Sequence, residues 1–180
     1  VDDSAGNGDQ LVNPGETLAL TATMHNHGSS DSGVFTLSLG AVTGPATAVG
    51  GQVAFASLAA GGESVAPATL GLAVAADAAD GAWVTVQMDA ERTGGLHDIS
   101  TVVWQVAAPA WGEVSLHAAD GLGPRPGQTT DLALSLRNTG SVATSGGVIE
   151  LAVLTPGDSG LGTVSAALPA CLPGEMVTTA

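Results

Sequence analysis

The chain has 180 residues, of which 44% are hydrophobic but only 3% aromatic, and its 17 acidic residues against three basic ones give a formal net charge of −14. The length suits two domains of sandwich size, whose cores must be built from many small side chains on long paired strands. The charge argues against nucleic acid and anionic membrane as partners, and the single cysteine, Cys171, excludes an intrachain disulfide and a cysteine-based zinc site.

Divalent cations suit so acidic a surface, which otherwise serves as a solvated coat. With no lysine, the chain cannot form Lys–Asn isopeptide cross-links. Stability must come from packing and hydrogen bonds, with bound metal open as a further source. No apolar run is long enough to cross a bilayer as a helix, so membrane insertion is not expected.

The first element is an Asp/Asn-rich loop. With Glu16 at position twelve of a calcium loop, Asn7, Asp9 and Asn13 fall at positions three, five and nine, and Leu11 offers a backbone carbonyl at seven. Oxygen ligands at alternate residues suit a hard cation, because a coiled loop points every second side chain inward. Position one is Ala5, so Asp3 or Asp2 would have to reach in, and the usual position-six glycine is Gln10. The candidate metal site is therefore Asp3, Asn7, Asp9, Leu11, Asn13 and Glu16, with calcium as the ion. The same residues also read as a turn closed by Asx-type hydrogen bonds, with Glu16 on the strand edge.

Next, Leu18, Leu20, Ala22 and Met24 alternate with Ala19, Thr21, Thr23 and His25, and Asn26-His27-Gly28 supplies a turn. A period of two marks a half-buried antiparallel strand. His25 and His27 share a face, a spacing open to a two-histidine metal site or to plain exposed strand-end residues. The alternation returns in Phe35, Leu37 and Leu39, in Leu70, Leu72 and Val74, in Val84, Val86 and Met88, and in Val102, Trp104 and Val106. Gly50-Gly51, Ala60-Gly61-Gly62 and Asp80-Gly81 make the turns between them. Asp77, Asp80 and Gly81 read as a capped turn ahead of the strand starting at Trp83, with auxiliary cation binding as the alternative. No segment holds a 3.6-residue period for long, so the expectation is an all-β fold of antiparallel sandwiches with Greek-key connections.

Ala107-Ala108-Pro109-Ala110 is a short, stiff junction rather than a flexible tether. Beyond it the sequence repeats itself. Pro14-Gly15-Glu16-Thr17 through Asn26-His27-Gly28-Ser29 recurs as Pro126-Gly127-Gln128-Thr129 through Asn138-Thr139-Gly140-Ser141, 112 positions further on. Gly33-Val34 matches Gly147-Val148, and Gly62-Glu63 matches Gly174-Glu175. The expected domains are 1–107, an immunoglobulin-like sandwich missing its first strand, and 108–180, a second one missing its last strands. A chain divided in this way is expected to be a section of a longer protein, its gaps filled by more of the same chain or by a neighbouring subunit in a filament.

These landmarks, from Asp2-Asp3-Ser4-Ala5-Gly6-Asn7-Gly8-Asp9 through Asn13-Pro14-Gly15-Glu16 to Asn26-His27-Gly28, resemble the immunoglobulin-like repeats of large secreted bacterial and archaeal proteins. Those include CARDB-like adhesion modules and modules that accompany gingipain-like peptidases. The resemblance covers nearly the whole chain and implies the tandem immunoglobulin-like fold and an extracellular or cell-surface setting. It departs at Gln10, where such repeats tend to have glycine, and in the shorter second loop from Asp120 to Gln128.

No nucleophile and base stand in a recognisable pairing, no glycine-rich loop carries a phosphate-binding lysine, and no carboxylates fall in a glycosidase or protease setting. Cys171 has no basic neighbour in sequence to activate it and reads as a buried thiol. The expected function is non-catalytic: a stalk, adhesin segment or filament-forming repeat that contacts protein partners, including further copies of itself, through strand edges. The runner-up is an accessory domain of a secreted hydrolase such as a peptidase. Carbohydrate binding is disfavoured, because no tyrosine is present and Trp83 is the one outward aromatic candidate.

Overall fold

The computed structural model describes residues 7–118, 121, 131–151 and 164–179. Every element among them is a β-strand and every ladder is antiparallel, so the protein is all-β. The chain divides into two compact units, Val1–Ala107 and Ala108–Ala180.

Unit 1 holds β1 (Thr17–Leu20), β2 (Thr23–His25), β3 (Phe35–Thr43), β4 (Ala46–Ala48), β5 (Gln52–Phe55), β6 (Glu63–Val65), β7 (Leu70–Val74), β8 (Trp83–Arg92) and β9 (Leu96–Gln105). One sheet has the order β1-β7-β4, and the pair β2-β6 prolongs it, with Ala66 N–H donating to Ala22 O between the two ladders. The other has the order β5-β3-β8-β9. The alternation read from the sequence becomes burial: Leu18 and Leu20, Leu70, Leu72 and Val74, Phe35 and Leu37, and Val84 and Val86 are all buried. Burying such a side chain contributes about 1.5–3 kcal/mol. The only two phenylalanines, Phe35 and Phe55, face each other across β3 and β5 with ring centroids 4.8 Å apart.

Three features depart from the run of alternating residues. The stretch from Leu18 to Met24 is broken at Thr21-Ala22 into β1 and β2, which pair with different strands. The short strands β4, β5 and β6 lie where the alternation is too brief or too alanine-rich to stand out. Finally, β8 and β9 continue as a long hairpin to Arg92 and Leu96, past the apolar residues that announced them. Gly44, between β3 and β4, has φ 90°, and a Cβ there would lie 2.0 Å from Trp83 O, so only glycine fits.

Unit 2 holds β10 (Trp111–Ala118), β11 (Leu132–Asn138), β12 (Gly147–Leu151), β13 (Val164–Leu168) and β14 (Met176–Thr179), in sheets ordered β10-β11-β14 and β12-β13. Its buried residues include Ala133, Leu136, Asn138 and Cys171.

Candidate functional site

The loop ahead of β1 brings Asn7, Asp9, Asn13 and Glu16 together. Asp9 Oδ1 accepts from Leu11 N–H at 2.8 Å and from Asn13 Nδ2 at 3.1 Å, while its Oδ2 accepts from Asn7 Nδ2 at 3.1 Å. Asn7 Oδ1 accepts from Asp9 N–H at 2.9 Å. Glu16 reaches back with both oxygens, Oε1 to Asn7 N–H and Oε2 to Asn13 N–H, each at 3.1 Å. The two carboxylates are thus turned onto N–H donors, in the Asx-closed arrangement that short polar side chains favour. Leu11 enters through its N–H, and Asp3 lies outside the described residues. Gln10 has φ 66°, the left-handed conformation that glycine adopts freely at this point of a calcium loop. The loop then runs alongside the end of β9, where Val12 forms a parallel bridge to Val106 and accepts from Ala107 N–H at 2.8 Å. Among the described residues no group of three or more His, Cys, Asp or Glu is placed to hold a metal ion.

His25 and His27 share a face, their rings stacked with centroids 5.6 Å apart. His25 Nε2 lies 2.8 Å from Glu63 Oε2 across the β2–β6 pair. Gly81 ties the turn that holds Asp77 and Asp80 to the end of β9, donating its N–H to Val106 O at 2.9 Å and accepting from Gln105 Nε2 at 3.0 Å. Cys171 is buried, with its amide bonded to Thr144 Oγ1 and its thiol 3.4 Å from Glu175 O.

Two asparagines that the sequence presented only as turn residues organise their units. Asn26 Nδ2 donates to Ser30 O, Leu58 O and Ala59 O, and its Oδ1 accepts from Gly28 N–H at 3.0 Å. Asn138 Nδ2 donates to Val142 O and Cys171 O, and its Oδ1 accepts from Gly140 N–H at 3.0 Å. The signal that could have found them is the equal spacing of Asn-x-Gly-Ser in the two halves. The β8–β9 hairpin carries a further cluster: Arg92 pairs with Asp98, and His97 Nδ1 lies 2.9 Å from Asp89 Oδ1. That hydrogen bond and the Asp89 charge, helped by Glu91, raise the His97 pKa above its ordinary 6.5.

No family model matches this sequence, and no curated protein matches it. A solved structure of the YadV chaperone is similar over 89% of this chain and 76% of that one, at 11% identity and a TM-score of 0.28.

Beside β1 and β2 the surface opens into two hollows. One, of about 370 Å3, is lined by residues including Met24, Asn26, Gly28, Phe35, Ala90 and Asp98. The other, of about 280 Å3, lies between the sheets and is lined by residues including Leu20, Ala22, Met24, Leu37, Met88 and Val102. Both touch Met24, so they follow one another along β2. On β9, Ser100, Val102 and Trp104 stand opposite Met88, Val86 and Val84, which are buried, yet Val102 itself is 37% exposed. Among the described residues the core-facing side of β9 is only partly covered, with Ser100 and Val102 exposed and Trp104 half-buried.

Proposed function

We propose that this chain is a non-catalytic structural and interaction module of an extracellular or cell-surface protein, made of tandem immunoglobulin-like sandwiches. One observation carries the reading: the strand order of unit 1. With β1 and β2 taken as strand B, β3 as C, β6 and β7 as E, β8 as F and β9 as G, B pairs with E in the β1-β7-β4 and β2-β6 ladders while C, F and G share the other sheet, which supports an immunoglobulin-like arrangement. The parallel bridge from Val12 to Val106 adds a short contact between the segment before B and the end of G. The matching bonds of Asn26 and Asn138, 112 positions apart, support a repeated unit. The acidic composition supports the extracellular setting, and the edge of β1 and β2, on which no described residue pairs, supports contact through strand edges.

The purified chain is expected to show no turnover of peptide, ester or glycoside substrates. Turnover abolished by a single substitution would overturn the module reading in favour of an enzyme.

Calcium is the cation proposed for the loop from Asp3 to Glu16, where Asp9 and Glu16 would exchange their N–H donors for the ion. With Kd near ~0.1 mM and calcium near ~1 mM, binding would add roughly 1.4 kcal/mol to unit 1. The expected result is a melting temperature lowered by chelator by roughly 5–10 °C. A melting temperature that ignores both chelator and added calcium leaves the loop as a hydrogen-bonded latch alone.

A further inference from the structure

We propose that His25 and His27 form a two-imidazole site for a divalent late transition ion, copper(II) foremost, on the exposed face of β2. The site is separate from the oxygen-lined loop ahead of β1, and it goes beyond the module reading above.

The strand β2 ends at His25, and Asn26 pins the chain immediately beyond it. Asn26 N–H donates to Gly62 O and Asn26 O accepts from Gly61 N–H, each at 2.9 Å. Its side chain donates from Nδ2 to Ser30 O, Leu58 O and Ala59 O. With the middle residue held by both backbone and side chain, the two flanking histidines are fixed on one side of the chain, as a period of two requires. Their rings stack with centroids 5.6 Å apart and an interplanar angle of 14°. A backbone held in this way leaves only side-chain rotations to be ordered when an ion binds, which keeps the entropic cost small.

Glu63 is a second, independent observation. The β2–β6 register places it directly opposite His25, and its Oε2 lies 2.8 Å from His25 Nε2. An ionised carboxylate only accepts, so the ring nitrogen that faces it carries the hydrogen, and Nδ1 of the neutral imidazole keeps its lone pair for a metal. Histidines that ligate metals characteristically give their other N–H to a carboxylate, which fixes the tautomer and ring orientation and makes the ligating nitrogen more basic. His25 and Glu63 form such a pair where solvent reaches both side chains, 48% and 52% exposed.

Two imidazoles leave the remaining coordination positions to water, and the hollow of about 370 Å3 that both histidines line has room for the ion and those waters. Ring nitrogens that share an ion at about 2.0–2.1 Å each stand within about 4.2 Å of one another, so the stack opens on binding. The exposed His27 ring swings about its side-chain torsions toward His25 Nδ1, while Glu63 holds the His25 ring in place. Imidazole nitrogen suits copper, nickel and zinc rather than calcium or magnesium, and copper(II) stands highest in the affinity order of the divalent ions. Arg137 and Thr139 stand at the corresponding positions of the second repeat, 112 residues further on, so the site belongs to unit 1 alone.

The test is a titration of copper(II) chloride into the full chain without an affinity tag, read by electron paramagnetic resonance and by paramagnetic broadening of the histidine ring signals in NMR. The expected result is a single bound ion with nitrogen hyperfine structure, His25 and His27 being broadened first. His25→Ala and His27→Ala are each expected to weaken copper binding about tenfold or more, and Glu63→Gln about tenfold through loss of the carboxylate behind His25. His97→Ala and His117→Ala are expected to leave it unchanged. Calcium at about 1 mM is expected to leave the copper in place, since a hard cation does not compete for imidazole. No binding at about 100 μM copper overturns the proposal, because two imidazoles on a fixed backbone should bind more tightly than that. Binding that survives loss of either histidine, or that calcium displaces, also overturns it. Undiminished affinity in Glu63→Gln overturns the role given to the carboxylate.

Discussion

Asn26 and Asn138 make closely matching hydrogen bonds, yet Asn138 is fully buried and Asn26 only half-buried. The difference lies in one neighbour. In unit 2 the segment from Ala108 to Trp111 covers the asparagine and draws a further bond from it, whereas in unit 1 no described segment does so. One Asn-x-Gly-Ser motif is therefore a buried hub where a strand passes over it and a half-buried one where no described segment does.

The largest effect that would break this comparison comes from the asparagines themselves. Asn138→Ala removes the bonds to Val142, Cys171, Gly140 and Ala110 and strands buried backbone groups, with an expected cost to unit 2 of about 2–4 kcal/mol. Asn26→Ala leaves its partners nearer water and is expected to cost unit 1 about 1–2 kcal/mol. Denaturant unfolding followed residue by residue through hydrogen exchange separates the units, and equal costs would contradict the difference in burial.

The glycines sharpen the contrast at slightly smaller magnitude. Gly140→Ala pushes a methyl into the backbone at Ala108 and Ala110 and is expected to cost about 2–3 kcal/mol. Gly28→Ala meets no such backbone, only Asn26 Oδ1 at 3.0 Å, and should cost less, about 0.5–1 kcal/mol. A comparable loss at Gly28 would show that its glycine serves the turn itself.

Within unit 1, Gln10→Gly tests the loop. Relief of a left-handed side chain, about 1–2 kcal/mol, outweighs the added flexibility of glycine, about 0.5–1 kcal/mol, so a net gain of about 0.5–1 kcal/mol is expected in thermal unfolding. A loss would mean that the Gln10 side chain holds the loop.

The smallest effect is that of pH on the β8–β9 hairpin. Because the folded His97 pKa is raised above 6.5, the charged pair with Asp89 contributes its stability fully below that value and loses it as pH rises through the raised folded pKa. An NMR titration should place His97 above 6.5, and Asp89→Asn should bring it down. An unchanged midpoint in that variant would contradict the assigned cause.

The sequence reveals the buried faces well, because Leu18 and Leu20, Leu70 and Leu72, or Val84 and Val86 are large residues spaced at the period of a strand with one covered face. It hides β4 and β6, which are three residues long and take their place from neighbours rather than from any pattern of their own. The first part of β9 is hidden for a different reason: Leu96 to Thr101 is exposed on both faces, so no alternation develops there. In the loop, oxygen atoms at alternate residues are legible from Asn7 to Glu16, but their direction is not. Whether Asp9 and Glu16 face N–H donors or a cation depends on backbone dihedrals such as that of Gln10. The role of Asn26 is beyond sequence for a similar reason, since its partners Leu58 and Ala59 lie more than thirty residues away.

The most direct measurement is native-state amide hydrogen exchange on the chain alone, comparing the outward-facing residues of β1–β2 with their counterparts on β11. Ala133, Ser135, Arg137 and Thr139 are expected to exchange slowly under the cover of β10 and the segment before it, while Thr21, Thr23, His25 and His27 exchange fast. Thr23 and His27 exchanging as slowly as Ser135 and Thr139 would contradict the pairing of β1 and β2 on one side only.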